Sequence, residues 1–221
     1  MIPLYDDNPT RSVAYVTLGL IAINVVVFFY ELSLSQDALR DFVHHYGVIP
    51  VRLTSETRPD AYPTLLTSMF LHGSLMHLLG NMLYLWIFGN NIEDACGRGR
   101  FLVFYLLTGL AAAATQIFLH PDSDIPMIGA SGAVSGVLGA YLVLYPRARV
   151  LVLVPIFIFI KFFYVPAVVL LLLWFALQLF SGWATLGHIG GGVAFWAHVG
   201  GFVAGIALIP FFKKRRVRLF R

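Results

Sequence analysis

Four side chains in this chain have types and spacings that suit attack on a carbonyl carbon. Ser131 stands in Gly129-Ala130-Ser131-Gly132, where an apolar helical pattern begins. Glycines let the chain turn tightly and let another backbone approach closely. A serine at a helix start also has free N–H groups and the positive end of the helix dipole beside it, a natural place for an oxyanion. His198 lies in a late apolar stretch whose Ala194, His198, Gly201 and Gly205 recur at i, i+4, i+7 and i+11. That makes one smooth helix face interrupted only by the imidazole. Gly132, Gly136, Gly139 and Ala140 make a similar face after Ser131, so the two helices can approach closely and bring the histidine to the serine. A neutral imidazole within reach of a hydroxyl is the minimum activated nucleophile. His77 and Asn81, at i and i+4, point from one face of a third helix, and each can donate a hydrogen bond to a developing oxyanion.

Each of these residues has a plainer role open to it. Serine and glycine commonly line helix contacts in membranes, and a histidine between helices can serve as a hydrogen-bonded packing residue. His77 and Asn81 do not make a metal pair, because the intervening Leu78-Leu79-Gly80 contains no Glu. His72, five residues before His77, falls on a different side of the helix and reads as an outer-end or packing residue. No Asp or Glu occurs in the last three apolar segments, so the residues assemble a Ser–His dyad rather than a Ser-His-Asp triad. No cofactor or metal is expected: paired membrane carboxylates and a His-Glu-x-x-His pattern are both missing from the sequence.

The elements that must position these residues are membrane helices. Of 221 residues, 59% are hydrophobic and 12% charged, against about a quarter charged in a soluble domain. Charges are absent for 19 residues after Arg11, 32 after Asp60, 21 after Arg100, 22 after Asp124 and 51 after Lys161. Each stretch can supply the roughly 20 residues that cross about 30 Å of hydrocarbon. The expectation is an all-α, polytopic membrane bundle of six transmembrane helices in one domain, 1–221. Its spans fall at about 13–32, 64–89, 101–119, 129–146, 162–180 and 192–212. The stretch 147–166, interrupted by Pro155, Lys161 and Pro166, reads as a buried connection. The N-terminus lacks a basic region and an Ala-x-Ala site, so the first segment is expected to stay as an anchor.

Orientation follows from Lys and Arg. The basic tail Lys213-Lys214-Arg215-Arg216-Val217-Arg218 anchors both termini in the cytoplasm, and twelve of the fifteen basic residues then fall inside. Arg40, Arg52 and Arg58 fall outside, in a first loop of 31 residues with an amphipathic stretch at Ala38–Val43, expected to be interfacial and partly helical. Since the basic surplus is a topology anchor, the net charge of +4 implies no nucleic-acid partner. The lone Cys96 allows no internal disulfide. On this topology His77 and Asn81 lie about 13 and 17 residues into the second span, and His198 roughly 9 Å below its outer end. Ser131 reaches that depth only if the third loop dips inward, which creates a recessed, hydrated cavity open to the outside.

Taken together, His77-x-x-x-Asn81, Gly129-Ala130-Ser131-Gly132 and Ala197-His198-x-Gly200-Gly201-x-x-x-Gly205 resemble the rhomboid family of intramembrane serine proteases. The turn Glu93…Gly97-x-x-Arg100-Phe101 looks like the family's second loop, and the resemblance runs from about residue 12 to 212. It implies an endopeptidase that cleaves transmembrane segments of single-span proteins from within the bilayer. Ser131 would be nucleophile and His198 general base, with the Ser131 N–H, His77 and Asn81 as oxyanion site. The fifth segment and the loop from Phe180 to Ile189 would gate lateral entry. The six-span minimal form points to a multi-pass protein of a bacterial plasma membrane. Some members carry an aromatic residue four positions after the nucleophile, stacked on the histidine; here that position is Ser135. What orients His198 is therefore open, with Trp196 and neighbouring aromatics as candidates. Ser135 itself is a possible hydrogen-bond partner or a rival nucleophile. Two other classes remain: an inactive relative that escorts membrane proteins, whose sign would be loss of Ser131 or His198, and a proton-coupled transporter, which would need carboxylates in the helical cores.

Overall fold

The structure is a computed structural model that describes residues 1–56, 58–156, 159–184 and 193–220. It is a helical membrane bundle. Among the described residues four helices are long and apolar enough to cross a membrane: α1 (Tyr15–Ser33), α7 (Arg98–Leu119), α9 (Ala167–Ala184) and α10 (Phe195–Phe212). Between α1 and α7 come the short α2 (Gln36–Tyr46), α3 (Pro50–Thr54) and α4 (Thr64–Thr67), then α5 (Leu75–Tyr84) and α6 (Asn90–Cys96). A π-helical turn, Leu85–Gly89, joins α5 to α6 with right-handed helical backbone at the joints. The remaining helix, α8 (Ser131–Leu144), has 14 residues. At 1.5 Å per residue it is about 21 Å long, short of the roughly 30 Å of a hydrocarbon core.

The second segment starts later than its apolar pattern suggests. After α4 and a 3-10 turn at Ser68–Phe70 the chain becomes extended at Leu71, and helix resumes only at Leu75. Ser74 caps that start, its Oγ accepting the N–H of His77 at 3.2 Å. Gly73-Ser74 was the stop-and-start signal inside an otherwise unbroken apolar run. His77 therefore stands in the first turn of its helix, not 13 residues into a span. At the other end Gly97, with φ +90, terminates α6 and opens α7 in a conformation that disfavours a side chain.

Within the stretch 147–166 the described residues form two antiparallel strands rather than a buried connection. Strand β2 (Arg149–Ile156) pairs antiparallel with β3 (Phe159–Pro166), and β1 (Ile2–Asp6) adds to the other edge of β2. Both strands are rich in β-branched and aromatic residues, which favour an extended, pleated backbone. Consequently the fifth helix starts at Ala167 and not at 162. Asp6 pins β1 to the bundle by accepting from Tyr141 Oη and from Asn91 Nδ2, the latter at 2.9 Å. Its burial raises its pKa.

Buried carboxylates secure two helix ends. Glu93 accepts the N–H groups of Val16 and Thr17 at 3.1 and 2.7 Å, and the Thr17 hydroxyl at 2.8 Å. It thereby supplies the missing cap at the positive end of α1. Glu31, at the far end of α1, accepts the backbone N–H of His72 at 3.2 Å, which fixes the extended turn before α5. The first loop is tied to the third. Val48 and Met127 exchange backbone hydrogen bonds at 3.1 and 2.7 Å, and the N–H of Val51 donates to Ser123. Within that loop α2 begins at the Ser35 cap and has no buried residue.

The core around which these pieces assemble is the trio α7, α8 and α10. A Cβ on Gly201 would collide with the carbonyl oxygen of Gly132, and one on Gly205 with that of Gly136. Thr108 and Ala112 of α7 fill the space against Gly136 and Gly132. In lipid, where apolar side chains gain little by leaving solvent, such backbone contact is what holds helices together.

Candidate active site

The glycine seam delivers the histidine to the serine. Ser131 is the first residue of α8, and His198, buried in the first turn of α10, faces it across Gly132 and Gly201. Ser131 Oγ lies 2.7 Å from His198 Nε2, within hydrogen-bond distance. No side chain caps the N-terminus of α8, whose preceding residue is Ala130. Its first N–H groups, beginning with that of Ser131, therefore remain as donors at the positive end of the helix.

His77 reaches the same place from α5. Gly129 has φ +123, and a Cβ there would fall 2.8 Å from His77 Nε2 and 3.7 Å from Ser131 Oγ. Glycine is needed at this position both for the conformation and for the room the imidazole takes. The N–H of Gly129 donates to Ser68 O at 2.8 Å, tying the approach to Ser131 onto the 3-10 turn before α5. Asn81, one turn below His77, is buried, and its Nδ2 has no partner among the described residues. An unpartnered buried amide donor is uncommon and calls for an explanation. Asn81 does not line the cavity at this site, whereas His77 does.

That cavity has a volume of about 1180 Å³ and is lined by His77, Gly129, Ser131, Trp196 and His198 together with the third loop. Because α8 is short, the loop between α7 and α8 completes the depth of the bundle and forms the cavity wall. A hydrolytic centre inside a bilayer needs such a compartment for water.

Ser135 is not placed as a second nucleophile. Its hydroxyl donates to the carbonyl of Ser131 at 2.6 Å, the i−4 bond of a helical serine, and the side chain is buried. Trp196 does not hold His198 either; it packs toward Gly182 on α9. The residues that do meet the His198 ring come from α9. Gln178 Oε1 is 2.8 Å from His198 Nδ1, and the Trp174 ring lies 6.0 Å from the imidazole at 33°. Sequence reasoning passed over both. The available signal was Gln178 itself, an amide set in the otherwise apolar run from Ala167 to Phe180. Of the gating loop expected at Phe180 to Ile189, residues 185–189 lie outside the described residues.

His72, expected as an outer-end or packing residue, is buried against His77 with ring centroids 5.1 Å apart, and neither of its ring nitrogens has a partner among the described residues. Among the described residues no three His, Cys, Asp or Glu side chains group as a metal site would require.

A polytopic helical bundle that brings a serine to a histidine at the wall of an internal cavity defines a class of membrane protein. The Rhomboid domain matches residues 59–215 of the chain. The chain belongs to the rhomboid family. It is 42% identical over 78 residues to the Rhomboid protease GluP of Bacillus subtilis, covering 35% of this chain and 15% of that protein. It is 30% identical over 155 residues to Rhomboid protein 1, mitochondrial, of Saccharomyces cerevisiae, covering 68% of this chain and 41% of the other. To the Presenilin-associated rhomboid-like protein A, mitochondrial, of Danio rerio it is 31% identical over 197 residues, 87% of this chain and 46% of that one. The chain thus spans less than half the length of each of these relatives.

Proposed function

We propose that the chain is an intramembrane serine endopeptidase that cleaves transmembrane segments of single-span membrane proteins with a Ser131–His198 dyad. The observation that carries this reading is the 2.7 Å separation of Ser131 Oγ and His198 Nε2. Ser131 Oγ attacks the scissile carbonyl carbon as its proton passes to His198 Nε2. The carbonyl electron pair moves to oxygen, and the tetrahedral species collapses by expelling the amine, which takes the proton from Nε2. Water then hydrolyses the acyl-enzyme by the same exchange and frees Ser131.

The oxyanion is met by the Ser131 N–H at the start of α8, by His77 and by Asn81. His77 and the uncapped start of α8 both border the cavity beside Ser131, which supports the first two, and the unpartnered Asn81 Nδ2 supports the third. Relatives named as rhomboid proteases favour the same activity.

The protein is integral to a membrane, and the Lys/Arg bias places both termini on the cytoplasmic side. Relatives of the chain include both a bacterial protease and mitochondrial proteins, so the resemblance does not single out a bacterial plasma membrane. The test is cleavage of a single-span substrate by purified protein in liposomes. Ser131→Ala is expected to abolish cleavage, and full activity in that variant overturns the assignment.

A further inference from the structure

His198 is held from its far side by a helix that carries no other part of the dyad. Gln178 Oε1 lies 2.8 Å from His198 Nδ1, while Nε2 faces Ser131. For Nε2 to accept the serine proton it must present a lone pair, so in the neutral ring the single proton resides on Nδ1. A carbonyl oxygen can only accept, and Oε1 is therefore the partner that selects this tautomer. The opposite tautomer would direct an N–H at Ser131 and leave the hydroxyl without a base. Once Nε2 has taken the proton, the same carbonyl dipole stabilises the charged ring. No Asp or Glu follows Asp124 in the sequence, so a carboxylate on α8, α9 or α10 is excluded. An amide performs the orienting role there without placing a permanent charge among lipid-facing leucines.

Given that reading of Ser131 and His198, we infer that Gln178 is a positioning residue that fixes the Nδ1–H tautomer and the orientation of the His198 ring. Its place on α9 makes the dyad competent only while that helix is docked on α10. Among the described residues the docking contacts include stacked rings. Phe175 stacks on Phe202 at 4.5 Å and 19°, Trp174 lies 5.9 Å from Phe202, and Gly182 adjoins Trp196. The other face of α9 presents Val169, Leu172, Leu173, Leu177, Phe180 and Trp183 outward. A displacement of α9 withdraws Gln178 from His198 and leaves the ring free to take the unproductive tautomer.

The test uses the intact protein in liposomes with Gln178→Met and Gln178→Glu. Methionine keeps the unbranched shape and removes the acceptor, so the bundle is expected to fold at least as well. Its kcat should fall roughly 10–100-fold with KM little changed, the scale of losing a group that orients a reactive histidine. Glutamate restores an acceptor of the same length and should recover most of that loss. In protein labelled with 15N-histidine, His198 should read as the Nδ1–H tautomer in the wild type and as a mixture in Gln178→Met. A wild-type kcat in Gln178→Met, or Gln178→Glu as impaired as Gln178→Met, overturns the inference. If Ser131→Ala is inactive while Gln178→Met is unimpaired, the inference alone fails. If Ser131→Ala retains cleavage, the dyad reading fails and takes the inference with it.

Discussion

Two helices meet α10 in opposite ways. Along α8 the contact is backbone on backbone, with Gly132 against Gly201 and Gly136 against Gly205, leaving no room for a single methyl. Along α9 the contact is made by aromatic side chains and one amide, and the buried residues of that helix are Ala167, Leu170, Leu171 and Gly182. The first interface has little freedom, because close-packed backbones transmit any shift directly. The second rests on side chains rather than backbones, with Phe175 and Trp174 against Phe202 and Gln178 against His198. The proposed nucleophile and base lie on the first, and the residue inferred to orient the base lies on the second. The proposed chemistry is thus built on a close-packed seam, while its readiness depends on how α9 docks on α10.

This contrast can be broken at several points. His198→Ala removes the base from the seam and should lower cleavage by roughly 10³-fold or more, measured as initial rate on a single-span substrate in liposomes. Asn81→Ala deletes an oxyanion donor and should cost about 10²-fold in kcat with an unchanged melting temperature. Were Asn81 instead only a misfit of packing, the variant would melt higher and cleave as well as the wild type. Gly205→Val forces three extra carbons against Gly136, and overpacking of this kind should destabilise by about 1–3 kcal/mol in thermal unfolding in detergent. Ala176→Leu, an equal insult on the exposed face of α9, should stay within about 0.5 kcal/mol. Equal effects at Gly205 and Ala176 would show that the glycine seam is packed no more tightly than an exposed helix face. Ser135→Ala, which removes only the bond to Ser131 O, should change the rate by no more than a few-fold.

Much of the seam was legible before any coordinates. Small residues spaced at i and i+4 on two segments predict close approach, and the sole imidazole on one such face predicts what meets the other helix start. The matching of Gly132 with Gly201 and Gly136 with Gly205 realises that pattern. What escaped had physical causes. Apolar runs hide breaks, so the extended turn at Leu71–Ser74 read as continuous helix although Gly73-Ser74 marked it. Strand β3 is exposed at nearly every position, and an apolar strand without alternation shares its composition with a membrane helix, so β2 and β3 read as a buried connection and the start of the fifth span. Gln178 escaped because the dyad was sought among residues that repeat in motifs. An orienting amide need only be the right length at the right depth. Its position is set by how α9 leans on α10, which no spacing within α9 reveals.

The central claim is that Ser131 is a nucleophile activated by its contact with His198. Mass spectrometry of the intact protein after treatment with a fluorophosphonate tests it directly. A single phosphonyl adduct is expected on Ser131 in the wild type, absent in Ser131→Ala and strongly slowed in His198→Ala. An unmodified wild-type protein, or an adduct that persists in Ser131→Ala, would contradict it.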